Sequence, residues 1–167
     1  MFRFYLLAIT LLLAISFTSN TARAVPAELL INPGFETGDT SGWSSVGGDL
    51  SIAPVSNTGD WGAQLVSDGQ DTVAKMWQDV PVEPFATYQL LGWININDAN
   101  LSHARFRIQW LDADGEFLGF AESRLLENGH VEPGTYTISS TTDPAYPPPV
   151  APSNALTARI LSLAWGV

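Results

Sequence analysis

The sequence predicts an all-β domain, an antiparallel β-sandwich or jelly roll. Two observations predict it. Short runs rich in apolar, β-branched and aromatic residues alternate with a period of two, and clusters of Gly, Pro, Asn and Asp separate these runs at fairly regular spacing. The sequence contains no internal repeat and no convincing amphipathic helix. With 167 residues, the chain has the length of one domain with a processed end.

The predicted strands, in chain order, are residues 29–32, 49–55, 62–67, 72–82, 87–97, 104–111, 116–123, 134–140 and 154–165. Residues 125–132 are the only segment that could form a helical turn, and the prolines of residues 143–152 predict an extended loop outside the central sheet. The D-A-D-G run from Asp112 to Gly115 predicts a hairpin turn. It begins like a calcium loop, but apolar residues follow where further oxygen ligands are needed.

The first residues have the pattern of a secretory leader. Arg3 supplies a short positive region, residues 4–17 are almost wholly apolar, and an A-R-A cleavage site ends at Ala24. The apolar run is short for a membrane span and no stop-transfer pattern follows, which argues against an uncleaved anchor. We therefore expect residues 1–24 to be a signal peptide, residues 25–167 to form the domain, and the product to be secreted and extracellular.

The charge balance limits the class of partner. The chain carries 7 Lys and Arg against 17 Asp and Glu, a formal net charge of −10, which becomes −12 when Arg3 and Arg23 leave with the leader. Such an acidic surface argues against nucleic acid and, after leader cleavage, against a membrane as partner. It is compatible with neutral ligands and with divalent cations. The absence of cysteine excludes disulfides and thiol catalysis.

The turn-rich segment of residues 31–43 (I-N-P-G-F-E-T-G-D-T-S-G-W) organises the rest of the chain. Phe35 and Trp43 are large apolar groups that such a loop carries only if they are buried. Glu36, followed by Gly38, places a carboxylate beside exposed backbone carbonyls, and these are the oxygen ligands that a calcium site uses. From the residues alone we prefer an ordinary loop held by two buried aromatic rings, with a metal site as the alternative.

The outer faces of the central strands combine aromatic with polar side chains. In residues 104–111 the apolar set faces the core, so that Arg107 and Gln109 face outward. If residues 87–97 pair with that strand, Trp93 and Asn95 share the same outer surface.

Lys75 and Trp77 share one face of the strand that precedes these two. Flat apolar sugar faces stack on indole rings, while planar guanidinium and amide groups bind hydroxyls. The candidate carbohydrate-binding residues are therefore Lys75, Trp77, Trp93, Asn95, Arg107 and Gln109. The alternative, which the residues support equally, is that both tryptophans belong to the core and the arginines to a solvated strand face.

Motifs that would indicate an enzyme are absent. His103 and His130 have no second histidine at metal-ligand spacing, and the sequence has no nucleophile elbow, P-loop or dinucleotide fingerprint. The carboxylates could furnish a pair for glycoside cleavage, but most of them lie in predicted turns, where solvation explains them. We therefore expect no catalysis by the chain itself.

The run N-P-G-F-E-T-G-D-T-S-G-W of residues 32–43 resembles the N-terminal signature of galactose-binding-like jelly rolls, and it is most similar to carbohydrate-binding modules of families 4, 9 and 22. Looser similarity continues in residues 59–65, 78–82, 87–90, 104–115 and 152–163. The resemblance implies a sandwich that binds polysaccharide chains without catalysis, on the concave outer face of one sheet. It also implies attachment to, or secretion beside, a glycoside hydrolase.

The same resemblance implies a structural calcium ion. Glu36 matches the acidic ligand of these modules, and Gly38 and Asp60 lie where backbone carbonyl ligands are expected. Members of these families end with a further strand that carries a pair of aspartates, one of which completes the site. This chain ends at Val167 before such a pair. We therefore expect a C-terminally truncated domain with an incomplete calcium site.

Three hypotheses about function remain open at this stage. The first is a secreted, non-catalytic carbohydrate-binding module. The second is a structural or adhesive cell-surface sandwich domain without sugar binding. The third is a hydrolase or lyase on a jelly-roll frame, which would need converging carboxylates where the strand faces carry Arg, Gln and Trp.

Overall fold

The computed structural model describes residues 3–14, 27–68, 73–96, 101–123, 134–139 and 148–166, which form two antiparallel sheets packed face to face. The strands are β1 (Arg3–Ala14), β2 (Ala27–Glu28), β3 (Ser44–Val46), β4 (Gly48–Ala53), β5 (Gly62–Ser67), β6 (Val73–Pro81), β7 (Thr87–Ile96), β8 (Leu101–Leu111), β9 (Phe117–Glu122), β10 (Gly134–Ser139) and β11 (Thr157–Gly166). The predicted all-β antiparallel sandwich is confirmed. No helix in the described part of the chain is long and apolar enough to cross a bilayer.

Among the described residues, sheet A has the strand order β10-β7-β1-β5-β4, with β2 paired to β1, and sheet B has the order β3-β6-β11-β8-β9. The side chains that face inward from both sheets form one core. Tyr88 on β7 meets Trp110 on β8 across this core, with ring centroids 5.7 Å apart. Each large side chain buried here contributes about 1.5–3 kcal/mol to stability.

Burial alternates along the long strands, as their sequences predict. On β8, Phe106 and Ile108 are buried while Arg105 and Arg107 are only partly covered. On β6, Met76 is buried between partly exposed neighbours. Because side chains alternate across a strand, this pattern gives each strand one core face and one outer face.

The strands β7 and β8, which the sequence analysis considered as possible partners, lie in different sheets. β7 pairs with β1 and β10, whereas β8 pairs with β11 and β9. The physical reason is that alternation shows which side of a strand faces the core. It does not show whether two strands are neighbours in one sheet or lie in opposite sheets. Here the apolar faces of β7 and β8 meet across the core, so their outer faces point in opposite directions.

Arg3–Ala14, which carries the leader pattern, forms β1 in the middle of sheet A. It pairs with β5 on one side and with β7 on the other, and Leu11 lies opposite Leu90 in the register. A continuous apolar run is compatible both with a leader and with a strand that is covered on both faces. Cleavage after Ala24 is a processing event and stays a prediction.

Most predicted strand boundaries agree with the structure to within a few residues. The exception is the first predicted strand, residues 29–32, because the pairing there covers only Ala27–Glu28 and the following residues turn. Residues 125–132, where a helical turn was predicted, lie outside the described residues, as do residues 143–147 of the predicted proline-rich loop.

The predicted hairpin turn between β8 and β9 is confirmed. The Asp112 carboxylate accepts hydrogen bonds from the backbone N–H groups of Asp114 and Glu116, both at 2.9 Å. Gly115 has a φ of 82°, a left-handed conformation that glycine adopts without steric cost. The Asp112 carboxylate thus stabilises the turn by accepting hydrogen bonds from the backbone of the turn.

Candidate functional site

The outer face of sheet B brings aromatic and basic side chains together. We call it the basic aromatic face, and it consists of Lys75, Trp77 and Asp79 on β6, His103, Arg105, Arg107 and Gln109 on β8, Phe120 and Glu122 on β9, and Arg159, Leu161, Leu163 and Trp165 on β11. The strand β11 lies in the centre of the sheet, with β6 and β8 on either side.

Strand register arranges this face in rows that cross three strands. Leu163 on β11 lies between Lys75 and Arg105, and these residues form the first row. Leu161 in the next row lies between Trp77 and Arg107.

The two leucines are about 95% covered although they are outside the core cluster. In the third row, Arg159 lies between Asp79 and Gln109. The face therefore has an apolar floor along β11 and polar or aromatic walls on β6 and β8.

Two arginines on the β8 wall share one carboxylate. Glu122 on β9 accepts hydrogen bonds from Arg105 and from Arg107, whose Nε lies 2.7 Å from the Glu122 Oε1. The Arg107 guanidinium also lies over the Phe120 ring, 4.8 Å from its centroid. Both guanidinium groups are thereby held in a fixed orientation, with a single negative charge between them.

On the β6 side, Arg159 and Asp79 form a bidentate pair. The Arg159 Nε and Nη2 donate to the two Asp79 oxygens at 2.7 and 2.8 Å. The hydrogen bond that Arg159 donates to Asp79 raises the pKa of Arg159, although burial acts in the opposite direction. The Arg159 guanidinium lies 5.7 Å from the centroid of the Trp77 ring, so the pair also orients this indole.

At the other end of the face, His103 stacks on Trp165 with ring centroids 4.3 Å apart and an angle of 16° between the ring planes. Arg105 lies 5.2 Å from the centroid of the same indole. Burial and the nearby charge of Arg105 lower the pKa of His103. The Ser102 Oγ lies 2.7 Å from the His103 Nδ1.

The structure brings together four of the six residues that the sequence predicts for carbohydrate binding. Lys75 and Trp77 lie on the β6 side of the basic aromatic face, and Arg107 and Gln109 lie on its β8 side.

Trp93 and Asn95 lie on β7, on the outer face of sheet A. Their predicted place beside the arginines is wrong, because it required β7 and β8 to be neighbours in one sheet. Sequence reasoning missed Trp165 and Arg159, although the alternation of residues 154–165 sets both on the same side of a strand.

The loop of residues 31–43 packs in the way that its sequence predicts. The Phe35 ring is completely buried and Trp43 is 8% exposed, with ring centroids 5.4 Å apart. The buried Gln78 on β6 joins the loop to sheet B, since its side-chain amide bonds the N–H and the carbonyl of Ile31 at 2.6 and 2.9 Å. The interpretation as a loop held by two buried aromatic rings is confirmed.

Two of the three predicted calcium ligands, Glu36 and Asp60, lie close to each other. The Glu36 carboxylate accepts hydrogen bonds from the backbone N–H groups of Asp60 and Trp61, at 3.0 and 3.3 Å. A Cβ added at Gly59 would overlap this carboxylate, and one added at Gly38 would lie 3.9 Å from the Trp61 Nε1.

These residues fit a calcium shell only in part. Calcium takes six to eight oxygen ligands, several of them usually carboxylate. Both Glu36 oxygens already accept backbone N–H groups. No group of three or more His, Cys, Asp or Glu side chains that could hold a metal occurs among the described residues. Glu36 is the acceptor that closes the turn at Gly59.

Comparison with known proteins identifies likenesses of fold. No model of a known protein family matches the chain, and no curated protein matches it either. Among solved structures, the enzymatically active domain of tailspike protein 4 of bacteriophage CBA120 matches with a TM-score of 0.55 and 17% identity, over 83% of this chain and 19% of that chain. This similarity is one of fold.

A second structure, of Clostridium thermocellum endo-1,4-beta-D-xylanase 10B, comprises CBM22-1 and GH10 modules in complex with xylohexaose. It matches with a TM-score of 0.55 and 14% identity, over 77% of this chain and 25% of that chain. This chain thus spans a quarter or less of either relative's length. Both likenesses support the sandwich fold, and the second is to a structure that contains a carbohydrate-binding module.

Proposed function

We propose that the chain is a secreted, non-catalytic carbohydrate-binding module of the family 4, 9 and 22 type, and that it binds polysaccharide chains on the basic aromatic face. The observation that carries this proposal is the combination, on one sheet face, of aromatic rings with ion-paired guanidinium groups and an amide. Trp77 and Trp165 offer apolar surfaces for sugar rings. Arg107 and Gln109 offer donors for hydroxyl groups.

The arrangement of the face supports an extended ligand. The outer members of each row lie on β6 and β8, two strand spacings or about 10 Å apart. Successive rows follow the strands at about 6.7 Å. Ring and donor positions therefore repeat along the strand direction, which suits a polymer better than a single small sugar.

The acidic side chains of the face support a role without catalysis. Glycoside cleavage needs two carboxylates that can act as acid and as base or nucleophile. On the described strands of sheet B, the outward carboxylates are Asp79, which is paired with Arg159, and Glu122, which is paired with Arg105 and Arg107. Both carboxylates are thus engaged with guanidinium groups. We assign catalysis to an adjoining glycoside hydrolase, in keeping with the CBM22-1 and GH10 modules of the xylanase structure.

Affinity gel electrophoresis tests the proposal. The chain is run through gels that contain soluble xylan, β-glucan, mannan or an acidic polysaccharide, and at least one polymer is expected to retard it. Trp77→Ala should abolish the retardation, whereas Trp93→Ala, which removes an indole from the outer face of sheet A, should leave it unchanged. The proposal fails if no polymer in the panel retards the chain.

A second candidate function is a structural or adhesive surface domain, and one observation favours it. Phe117 and Phe120 on β9 are 58% and 55% exposed and stack on each other with ring centroids 6.4 Å apart. β9 lies at the edge of sheet B, where an exposed apolar pair can contact another protein. Sedimentation of the chain and of Phe117→Ser tests whether this pair joins copies of the chain, because self-association through the pair should be reduced by this change.

Calcium binding at Glu36 is also part of the proposal, in a limited form. Affinity for calcium rises with the number of charged ligands, so one carboxylate supports dissociation constants only in the range of about 10⁻⁴–10⁻³ M. Millimolar calcium should therefore raise the Tm of the chain above its value in chelator, and Glu36→Gln should remove the difference. An unchanged melt in both conditions would mean that the loop binds no calcium.

A further inference from the structure

The basic residues of the chain are concentrated on one sheet face. Of the seven Lys and Arg residues in the sequence, four lie on the basic aromatic face, at Lys75, Arg105, Arg107 and Arg159. Arg3 and Arg23 belong to the predicted leader, and the remaining basic residue lies outside the described part of the chain.

Two acids share the face on the described strands, so it carries a formal charge of +2 in a chain whose net charge is −10. A face of opposite sign to the rest of the molecule indicates a ligand with negative charge.

The ion pairs show where the excess positive charge lies. Asp79 compensates Arg159 completely through its bidentate contact. Glu122 must compensate both Arg105 and Arg107, which leaves one positive charge in excess on the β8 wall. Within the described residues, Lys75 has no ion pair.

The first row of the face is therefore the most positive. It has Lys75 on one wall, Arg105 on the other, and the apolar Leu163 between them.

A carboxylate is the anion that this row fits best. Guanidinium groups bind carboxylates through two parallel hydrogen bonds, and Lys75 can contact the same anion as a point charge from the opposite wall. The rings beside the row, Trp77 in the next row and Trp165 at the end of the face, would stack on the sugars that carry the carboxylate.

We infer that the polysaccharide bound by this face is acidic, with uronic acid residues whose carboxylates bind between Lys75 and the Arg105–Arg107 pair. This inference rests on the proposed function and names the class of ligand for the same site. The remainder of the chain repels a polyanion, but at about 0.1 M salt this repulsion is screened beyond about 10 Å. The positive charge of the face itself then determines whether the polyanion binds. This binding should weaken as the salt concentration rises.

The test compares polymers with and without free carboxylate groups. The full chain is titrated calorimetrically with two pairs of polymers. The first pair is polygalacturonate and its methyl ester, and the second is glucuronoxylan and xylan freed of its uronic acid branches. Each pair gives a ratio of affinities, acidic over neutral. At least one ratio is expected to be about tenfold or more in 20 mM salt and to fall in 300 mM salt, because one charge-assisted hydrogen bond corresponds to about a factor of ten.

Variants separate the inference from the proposed function. Lys75→Gln should reduce affinity for the acidic polymer more than affinity for the neutral one, so that the acidic-over-neutral ratio falls, and Lys75→Glu should reduce the ratio further. Trp77→Ala should weaken binding of both polymers. Trp93→Ala on sheet A is the matched control, and its affinities should equal those of the unaltered chain. Circular dichroism melts confirm that each variant is folded.

The outcomes are distinguishable. Equal affinity for the acidic and neutral members of both pairs would overturn the inference and leave the proposed function standing. Binding of single-stranded DNA as tightly as the acidic polymer would also overturn it, since the face would then attract any polyanion. Binding to no polymer would overturn both proposals.

Discussion

The two sheets of this protein have outer faces that look alike in sequence and differ in chemistry. Each presents a partly exposed tryptophan from the middle of a long strand, Trp93 on sheet A and Trp77 on sheet B. Around Trp77 lie arginines held by carboxylates. Among the side chains that the structure describes on the outer face of sheet A, none is Lys or Arg. An outward tryptophan alone therefore does not indicate a site, and the charged groups beside it distinguish the two faces.

The sheets also differ in how they are assembled. Sheet B is built from strands within residues 44–166, whereas the centre of sheet A is β1, Arg3–Ala14. Since the sequence of β1 predicts a leader, the integrity of sheet A depends on a segment that processing is expected to remove.

Removal of residues 1–24 should have the largest effect. It leaves β5 and β7 without the strand that joins them, and exposes backbone groups that β1 satisfies. We expect a loss of several kcal/mol of stability, a large share of the roughly 5–15 kcal/mol that is typical of a domain. Urea unfolding of residues 25–167 beside the full chain measures it, with hydrogen exchange to locate the change in β5 and β7. Equal stability would contradict the role of β1 in the sheet.

Phe35→Ala should have the next largest effect. This ring is completely buried against Trp43, so truncation leaves a cavity and should cost about 3–5 kcal/mol in the free energy of unfolding. Phe85→Ala is a matched control, because Phe85 is 71% exposed and its loss should cost less than about 0.5 kcal/mol. Similar midpoints for the two variants in urea would mean that Phe35 does not support the core.

Glu36→Gln tests the turn at Gly59 in the absence of calcium. The charged acceptor becomes a neutral one for the N–H groups of Asp60 and Trp61, and we expect a loss of about 1 kcal/mol because the site is exposed. Thermal melts in chelator measure this loss without any contribution from metal. A variant as stable as the unaltered chain in chelator would show that the carboxylate is not needed to close the turn.

His103 should give the smallest effect, a dependence of stability on pH. Its pKa is lowered from the ordinary value of 6.5 by burial and by Arg105. The unfolded chain then binds a proton at a higher pH than the folded chain, so stability is highest above pH 6.5 and falls as the pH drops through this value towards the folded pKa. Melts between pH 5 and 8 should show this fall in the unaltered chain, and it should be reduced in His103→Gln; the same fall in both would exclude His103 as its cause.

Local structure was largely predictable from sequence, because it depends on neighbours along the chain. Alternation identified the core face of β8, and the D-A-D-G run identified the turn at Asp112. The burial of Phe35 and Trp43 followed from the size of these rings in a loop.

The sheet to which each strand belongs was not predictable in this way. Trp93 and Arg107 lie on outer faces that point in opposite directions, although both alternate correctly with apolar neighbours. The pairing of Arg159 with Asp79, 80 residues apart in sequence, likewise depends on the register between β6 and β11. Tertiary packing decides both, and a single sequence carries no direct signal for either.

NMR spectroscopy can test whether the outer face of sheet B binds polysaccharide. The indole N–H groups give separate signals in a ¹H–¹⁵N correlation spectrum, and single Trp→Phe variants assign them. On titration with oligosaccharides from the polymer that retards the chain, we predict shifts of the Trp77 and Trp165 signals and none of the Trp93 signal. Shifts of the Trp93 signal with no change at Trp77 would place the ligand on sheet A and contradict the account.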